Sequence, residues 1–253
     1  MGKYDGYLIL SDLDNTLTHQ GHLIDKNTEA IRQYVKEGGL FTLSTGRTPA
    51  FLFDTYGKEN LLINTYIICL NGTVIYDPIN KNIVWQSSVP KEALSNLEQI
   101  AKDYKGILSV TYYCFETSYN HYREIPNGGI NKTVIAFDTA DNCAKLRKRL
   151  ESEYRGVFEF NKSWDTGLEI LPNGAGKGTC IRMLRQLLKN KVKTVIAAGD
   201  NENDLTMLRE ADIGYAVENA IPQLKAAADR ITVSCDRGAI ARIIEDIYGH
   251  TDK

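Results

Sequence analysis

The sequence lacks the features that mark a membrane or secreted protein. Its five cysteines are odd in number and contain no Cys-x-x-Cys pair, which favours reduced thiols over a disulfide framework. No apolar run approaches the roughly 20 residues that cross a bilayer. The first apolar segment, residues 7–10, is followed at once by charge, so it does not resemble a signal peptide. These absences predict a cytoplasmic protein.

An excess of charge of one sign is also absent. The chain has 30 basic and 32 acidic residues and a formal net charge of -2. A nucleic-acid or acidic-membrane partner would favour a basic excess, so we expect neither. With 253 residues, the chain is long enough for one large domain or two modest ones. The composition predicts no particular oligomeric state.

Apolar strands alternate with amphipathic helices at both ends of the chain. This order predicts a doubly wound parallel sheet, an α/β fold. The predicted strands are residues 7–12, 40–45, 66–70, 192–198, 213–217 and 231–234. The predicted helices are residues 26–38, a short one after Pro49, one starting near Lys177 and a last one after Arg237.

The middle of the chain follows a different pattern. Short strands separated by turns, with two helices, predict an antiparallel α+β domain. The predicted strands are residues 83–88, a pair within 107–124, 132–138, 157–162 and 166–171, and the helices are 90–104 and 141–154. We therefore expect an α/β core of residues 1–81 and 173–253, interrupted by an inserted α+β domain of residues 82–172. Gly, Pro and Asn cluster at both joints.

Acidic side chains follow two of the core strands. Ligands bind beyond the carboxyl ends of parallel strands. Asp12 and Asp14 follow the first strand and, by strand alternation, are expected to point the same way. Close carboxylates repel, so they require a proton or a cation. Asp200 and Asp204 follow a later strand, and the absence of His and Cys from these segments favours Mg²⁺ over zinc. For Asp204 alone, a helix cap is an equally good explanation.

Two further segments suit an anion. Gly174 to Thr179 form a glycine-rich turn with Lys177 at a helix start, where backbone N–H groups and the helix dipole favour negative charge. The alternative is a solvated lysine in a flexible connector. Thr45, Gly46 and Arg47 combine a hydroxyl, close backbone approach and a guanidinium. For Arg47 the alternative is a surface ion pair.

Taken in order, these motifs resemble the four signature motifs of the haloacid dehalogenase superfamily. They are Asp12-Leu13-Asp14-Asn15-Thr16, the strand-ending Thr45, Lys177, and Gly199-Asp200 with Asn203-Asp204. Ser44-Thr45-Gly46-Arg47 and Asn71-Gly72 resemble the Cof-like phosphatase branch of that superfamily. The resemblance implies a Rossmann-like core and makes residues 82–172 a cap inserted between the second and third motifs.

The resemblance also implies a role for each motif residue. Asp12 would be the nucleophile that forms an aspartyl-phosphate, and Asp14 the general acid and base. Asp12, Asp200 and the backbone carbonyl of Asp14 would hold Mg²⁺. The phosphoryl group would be bound by Thr45, Lys177 and Asn203 beside Gly46 and Arg47, while Thr16 and Asp204 support these groups from behind. In the cap, the candidates for specificity are Tyr112, Tyr113, His121 and Arg123.

The expected function is a Mg²⁺-dependent phosphatase that acts on a small phosphate monoester, such as a sugar phosphate. Two alternatives remain open at this point. A phosphomutase or phosphotransferase would pass the same aspartyl-phosphate to a sugar hydroxyl instead of water. A phosphate-binding regulator would share the clustered aspartates and the lysine without turnover.

Overall fold

The computed structural model describes residues 2–125 and 129–251, with side chains described as far as residue 247. The strands are β1 (Tyr7–Ser11), β2 (Thr18–His19), β3 (His22–Leu23), β4 (Leu40–Leu43), β5 (Ile67–Cys69), β6 (Val74–Asp77), β7 (Asn82–Gln86), β8 (Ile107–Cys114), β9 (Thr117–Tyr119), β10 (Lys132–Phe137), β11 (Phe158–Trp164), β12 (Gly167–Pro172), β13 (Thr194–Gly199), β14 (Ile213–Ala216) and β15 (Arg230–Ile231). The helices are α1 (Asp25–Lys36), α2 (Pro49–Tyr56), α3 (Lys58–Leu61), α4 (Ser95–Asp103), α5 (Ala140–Glu153), α6 (Lys177–Leu188), α7 (Leu205–Glu210), α8 (Pro222–Ala227) and α9 (Ala239–Thr251).

A five-stranded parallel sheet forms the centre of the core, in the order β15-β14-β13-β1-β4. Its strands are buried on both faces, because Ile9 packs in one apolar cluster while Leu8 and Leu10 pack in another. A single parallel bridge between Ser44 and Ile68 brings β5 to the β4 edge. The predicted doubly wound α/β class is confirmed.

The strand β7 differs from the prediction, which placed it in the inserted domain. It pairs antiparallel with β6, which pairs with β5, and its Val84 and Trp85 pack against a core cluster. A division of the chain at residues 82 and 172 remains a prediction. The pairing of β7 favours placing the first joint after Gln86, because the strand is hydrogen-bonded to the core.

The inserted α+β unit is a five-stranded antiparallel sheet in the order β11-β12-β10-β8-β9. Helices α4 and α5 pack on one of its faces through an apolar cluster that includes Leu97, Leu146 and Ile135. Because strand side chains alternate, Lys132, Val134 and Glu169 lie on the opposite face. Those three side chains line a cavity between this sheet and the core.

The structure adds one observation on membranes. In the described part of the chain, every helix falls short of the length and hydropathy that a membrane span requires.

All five cysteines are free thiols in the structure.

Candidate active site

Asp12 and Lys177 meet at the centre of the site, where β1 ends beside the start of α6. The Nζ atom of Lys177 lies 2.6 Å from Oδ1 of Asp12 and 2.6 Å from Oδ1 of Asp204. The Lys177 side chain is 0% exposed, so the alternative of a solvated lysine is wrong. Burial by itself lowers the pKa of Lys177, but the two carboxylates outweigh it and the net shift is upward. The lysine is therefore a fixed positive charge between two aspartates.

Asp204 combines the two roles considered for it, a helix cap and a residue of the acidic site. Its Oδ1 atom contacts Lys177, and its Oδ2 atom accepts hydrogen bonds from the backbone N–H groups of Asp200 and Asn201, at 3.0 and 3.2 Å. The second contact forms a capping box at the short 3₁₀ turn Glu202–Asp204. With both oxygens engaged, Asp204 holds the loop after β13 and orients Lys177.

Asp12, Asp200 and Asp204 form a carboxylate cluster that could hold a cation. One oxygen from each lies within 4.8 Å of the others. Burial, together with the neighbouring carboxylates, raises the pKa of Asp12 to about 7 and that of Asp200 to about 9. A cluster of buried carboxylate oxygens fits a hard divalent cation, because the cation compensates for the loss of water and offsets the mutual repulsion.

Asp14 reaches the same cavity by a route that differs from the prediction. Strand β1 ends at Ser11, and residues 13–17 form a π-helical turn in which Asn15 has a left-handed φ of 59°. Alternation along a strand is therefore not what brings the two aspartates together. The Asp14 side chain is 44% exposed, and its Oδ2 atom lies 3.0 Å from Nε of Arg47. Asp12 is thus buried beside a lysine, whereas Asp14 faces the open side of the cavity.

Arg47 forms the ion pair that was considered as its alternative role. Its guanidinium also lies over the ring of Phe51, 4.6 Å from the ring centroid. Arg47, Phe51 and Asp14 all line the cavity. The ion pair therefore places a positive charge inside the site.

The hydroxyl groups of the predicted site are both buried. Thr45 lies at the end of β4, and its Oγ1 atom accepts a hydrogen bond from the backbone N–H of Arg47 at 3.2 Å. The Oγ1 atom of Thr16 has no hydrogen-bond partner among the described residues. Gly46 lines the cavity, and its carbonyl accepts from Nζ of Lys132 at 3.0 Å.

A tight turn after β5 brings Asn71 into the site. Leu70, Asn71 and Gly72 have successive positive φ angles of 49°, 57° and 87°. A Cβ atom on Gly72 would lie 2.1 Å from the carbonyl carbon of Gly176, so the missing side chain lets the turn touch the start of α6. The same close approach sets the position of Lys177, which follows Gly176.

A cavity of about 610 Å³ lies between the core and the cap. Its core side includes the site residues Asp12, Asp14, Gly46, Arg47, Asp200 and Asn203. Its cap side includes Tyr113, Lys132, Val134, Ser163, Trp164 and Glu169. Among the predicted site residues, Thr45, Thr16, Lys177 and Asp204 lie behind this wall, consistent with their burial.

The candidate cap residues have different positions. Tyr113 lines the cavity, whereas Tyr112 is buried in the cap core, where burial raises its pKa to about 12. His121 and Arg123 are exposed away from the cavity wall. Of the four candidates, Tyr113 is therefore the one placed to contact a substrate.

The sequence analysis missed Lys132, Glu169 and Ser163. Lys132 and Glu169 form a buried ion pair at 3.0 Å, with side chains 6% and 3% exposed. A signal was present, because Glu169 stands inside the otherwise uncharged strand Gly167–Pro172. A charged residue within a buried strand indicates a polar partner or a site. The partners of Glu169 include Lys132 in the cap and Asn71 in the core.

A doubly wound core with acidic groups at its strand ends and an α+β roof is the architecture of a capped phosphohydrolase. The family comparison agrees with this class. A family model described as haloacid dehalogenase-like hydrolase matches residues 9–126 and 113–244, and the chain belongs to this family. It is therefore a hydrolase of this family, and curated relatives are named as phosphatases.

Individual relatives match nearly the whole chain. The 5-amino-6-(5-phospho-D-ribitylamino)uracil phosphatase YcsE of Bacillus subtilis is 27% identical over 240 residues, covering 94% of both chains. A haloacid dehalogenase-like hydrolase from Bacteroides thetaiotaomicron has a TM-score of 0.80 at 24% identity, covering 96% of this chain and 99% of its own. The sugar phosphatase BT4131 has a TM-score of 0.80 at 19% identity, covering 95% and 98%. At these identities the structural matches establish the fold.

Proposed function

We propose that the protein is a Mg²⁺-dependent phosphatase that hydrolyses a small phosphate monoester through an aspartyl-phosphate on Asp12. The observation that carries the proposal is the position of Asp12. Its carboxylate directly follows β1, lies 2.6 Å from a fully buried lysine, and opens onto a roofed cavity. A nucleophile that must approach an anionic phosphoryl group requires positive charge of this kind beside it.

In the first step, a carboxylate oxygen of Asp12 attacks phosphorus, and the bond from phosphorus to the ester oxygen breaks. Asp14 donates a proton to the leaving oxygen, which departs as an alcohol. In the second step, Asp14 takes a proton from water as that water attacks phosphorus. The bond between phosphorus and Asp12 then breaks, which releases inorganic phosphate, restores the carboxylate of Asp12 and leaves Asp14 protonated again for the next cycle.

Asp12, Asp200 and the backbone carbonyl of Asp14 would hold Mg²⁺. When bound, Mg²⁺ neutralises part of the negative charge on the phosphoryl oxygens. The raised pKa values of Asp12 and Asp200 support this assignment, because burial and neighbouring carboxylates raise them and a bound cation would favour the ionised forms. Asp204 is left out of the proposed ligand set, since Lys177 and two backbone N–H groups already engage its oxygens.

The remaining site residues would bind the phosphoryl group or hold it in place. Lys177, Thr45 and Asn203 are the proposed phosphoryl contacts, with Gly46 and Arg47 at the cavity wall. Thr16 and Asp204 support the nucleophile and the lysine from behind. The division of the chain into a core of residues 1–81 and 173–253 and a cap of residues 82–172 is part of the same proposal, with the first joint moved after Gln86.

The size and enclosure of the cavity favour a small metabolite. A volume of about 610 Å³ falls within the range of about 300–1,000 Å³ that is usual for small-molecule sites. Two relatives are named for compounds of that size, a phosphorylated ribitylaminouracil and a sugar phosphate. We propose a phosphate ester of a sugar or sugar-alcohol unit in the cytoplasm, where the five free cysteines would stay reduced.

The test is phosphate release from a panel of sugar phosphates, sugar-alcohol phosphates, nucleotides and an aryl phosphate. Each is assayed with Mg²⁺, with EDTA, and with Asp12→Asn in place of the wild type. We expect release that requires Mg²⁺ and falls by roughly 10⁴-fold in the variant, as for loss of a nucleophile. Release that survives both EDTA and Asp12→Asn would refute the mechanism. Isomerised sugar phosphate without free phosphate would identify a phosphomutase instead.

A further inference from the structure

Three cap side chains contact the core where the proposed phosphoryl site lies. Lys132 donates to the Gly46 carbonyl at 3.0 Å, and its other partner is Oε1 of Glu169 at 3.0 Å. The Oε2 atom of Glu169 accepts from Nδ2 of Asn71 and from Oγ of Ser163. One buried carboxylate in the cap therefore binds the turn after β5 directly and the loop after β4 through Lys132.

The same contacts continue to Asn203. Its Nδ2 atom donates to Oδ1 of Asn71 at 3.2 Å and to Oγ of Ser163 at 3.1 Å. An ionised glutamate only accepts hydrogen bonds, so Asn71 and Ser163 must point their donors at it. They then present their remaining acceptors to Asn203. The charge of Glu169 thus determines which way the Asn203 amide faces.

The two hydrogen bonds that Asn203 donates are long enough to be replaced by a stronger one. At 3.1 and 3.2 Å, the two bonds from Asn203 are at the long end of the normal range. A charged phosphoryl oxygen forms a shorter and stronger bond than a neutral hydroxyl or amide oxygen. A phosphoryl oxygen that enters the cavity can therefore replace Asn71 or Ser163 as an acceptor of a hydrogen bond from Asn203.

We propose that Glu169, held in place by Lys132, is a positioning residue that orients Asn203 for the phosphoryl group when the cap lies on the core. The proposal rests on the proposed function, because it assigns Asn203 to phosphoryl binding. Under this proposal, the orientation of a core residue depends on a side chain of the cap.

The first experiment measures steady-state kinetics and competitive inhibition by inorganic phosphate for Glu169→Gln. Glutamine keeps the shape but adds an N–H donor where only acceptors fit. We expect kcat/KM to fall about 100-fold, as for a misplaced catalytic contact. The inhibition constant for phosphate should rise at least tenfold in the same variant. An unchanged or lower inhibition constant would overturn the proposal.

The second experiment tests whether Glu169 acts through Asn203. If it does, adding Glu169→Gln to Asn203→Ala costs little more than Asn203→Ala alone, because effects along one path do not add. Losses that multiply would show that Glu169 acts by another route and would overturn the proposal.

Arg147→Met is the matched control. Arg147 lies on the cap helix α5 and forms an ion pair with Glu202 of the core, at 2.6 Å, away from the cavity wall. We expect phosphate inhibition within twofold of the wild type in this variant. An equal loss in Arg147→Met and Glu169→Gln would mean that any charged contact between cap and core matters, and would refute a specific role for Glu169.

Glu169→Gln leaves Lys132 buried without its partner, which can prevent folding. The variant Lys132→Met/Glu169→Leu removes both charges, a change that is often neutral for stability. We expect it to fold and to show the same loss in kcat/KM and phosphate binding. Wild-type kinetics in this variant would overturn the proposal. Asp12→Asn is measured in parallel. If it loses activity while the Glu169 variants do not, the role of Glu169 is refuted and the proposed function stands.

Discussion

The core and the cap contribute to the same cavity in different ways. In the core, the acidic groups stand in the segments that follow parallel strands, and backbone N–H groups help to hold one of them, Asp204. In the cap, the groups stand within antiparallel strands, and other side chains hold them, as at Lys132 and Glu169. In the proposed mechanism, the groups that react with the substrate, Asp12 and Asp14, therefore belong to the core. The cap contributes walls and orientation, which depend on its contact with the core.

The largest effect that sharpens this comparison is expected for Asp14→Asn. Loss of a general acid and base should lower kcat by about 10²- to 10⁴-fold. Mg²⁺ affinity, measured by calorimetry, should change little, because the Asp14 side chain pairs with Arg47 and lies outside the carboxylate cluster. Asp200→Asn is the comparison variant, and it should lose Mg²⁺ affinity. Equal loss of Mg²⁺ binding in both variants would contradict the role of Asp14.

The next effect concerns stability and compares a core glycine with a cap glycine. Gly72→Ala adds a side chain at a φ of 87° and pushes it against the backbone of Gly176. We expect a loss of about 3 kcal/mol in the free energy of unfolding, measured by urea titration. Gly156→Ala is the control, since its φ is 76° and nothing lies within 4 Å of the added atom.

For Gly156→Ala we expect a loss of about 1 kcal/mol, from the backbone angle alone. The difference between the two variants isolates the close approach of the turn after β5 to α6. Equal losses in the two would show that this approach contributes nothing to stability.

The smallest effect separates two neighbouring tyrosines of the cap. Tyr112→Leu should lower the free energy of unfolding by about 1–2 kcal/mol and leave KM unchanged, because Tyr112 is buried in the cap core. Tyr113→Leu should raise KM about three- to tenfold with little loss of stability. Its ring lines the cavity, 5.1 Å from Nζ of Lys132. A change in KM for Tyr112→Leu, with a loss of stability for Tyr113→Leu, would contradict the assignment of Tyr113 to the cavity face of β8.

The core of the site could be predicted because its signals are local. Asp12, Asp14, Asp200 and Asp204 follow apolar strands, and the carboxyl ends of parallel strands meet at one edge. The predicted alternation of Asp12 and Asp14 along one strand was wrong, because the strand ends at Ser11 and a turn follows. The elements β2, β3, β6, α3, α7 and α8 were not predicted, and each has six residues or fewer, which leaves little periodicity to recognise.

The cap half of the site could not be predicted because its signals depend on pairing. Tyr112 and Tyr113 alternate, and the sequence does not say which of them faces the helices. Lys132 and Glu169 become partners through the pairing of β10 with β12, which joins residues far apart in the chain. The sequence likewise did not show that β7 pairs with the core strand β6, because that pairing is not a local signal.

The alternation of β1 also limits how this protein can evolve. Ile9 faces one apolar cluster and Leu8 and Leu10 the other, so a one-residue insertion or deletion within the strand would exchange the two faces. It would also move Asp12 away from Lys177. Single substitutions in β1 change one contact each, whereas a change of its length alters the packing and the proposed nucleophile together. Libraries that vary chain length will therefore recover no active variant from this strand.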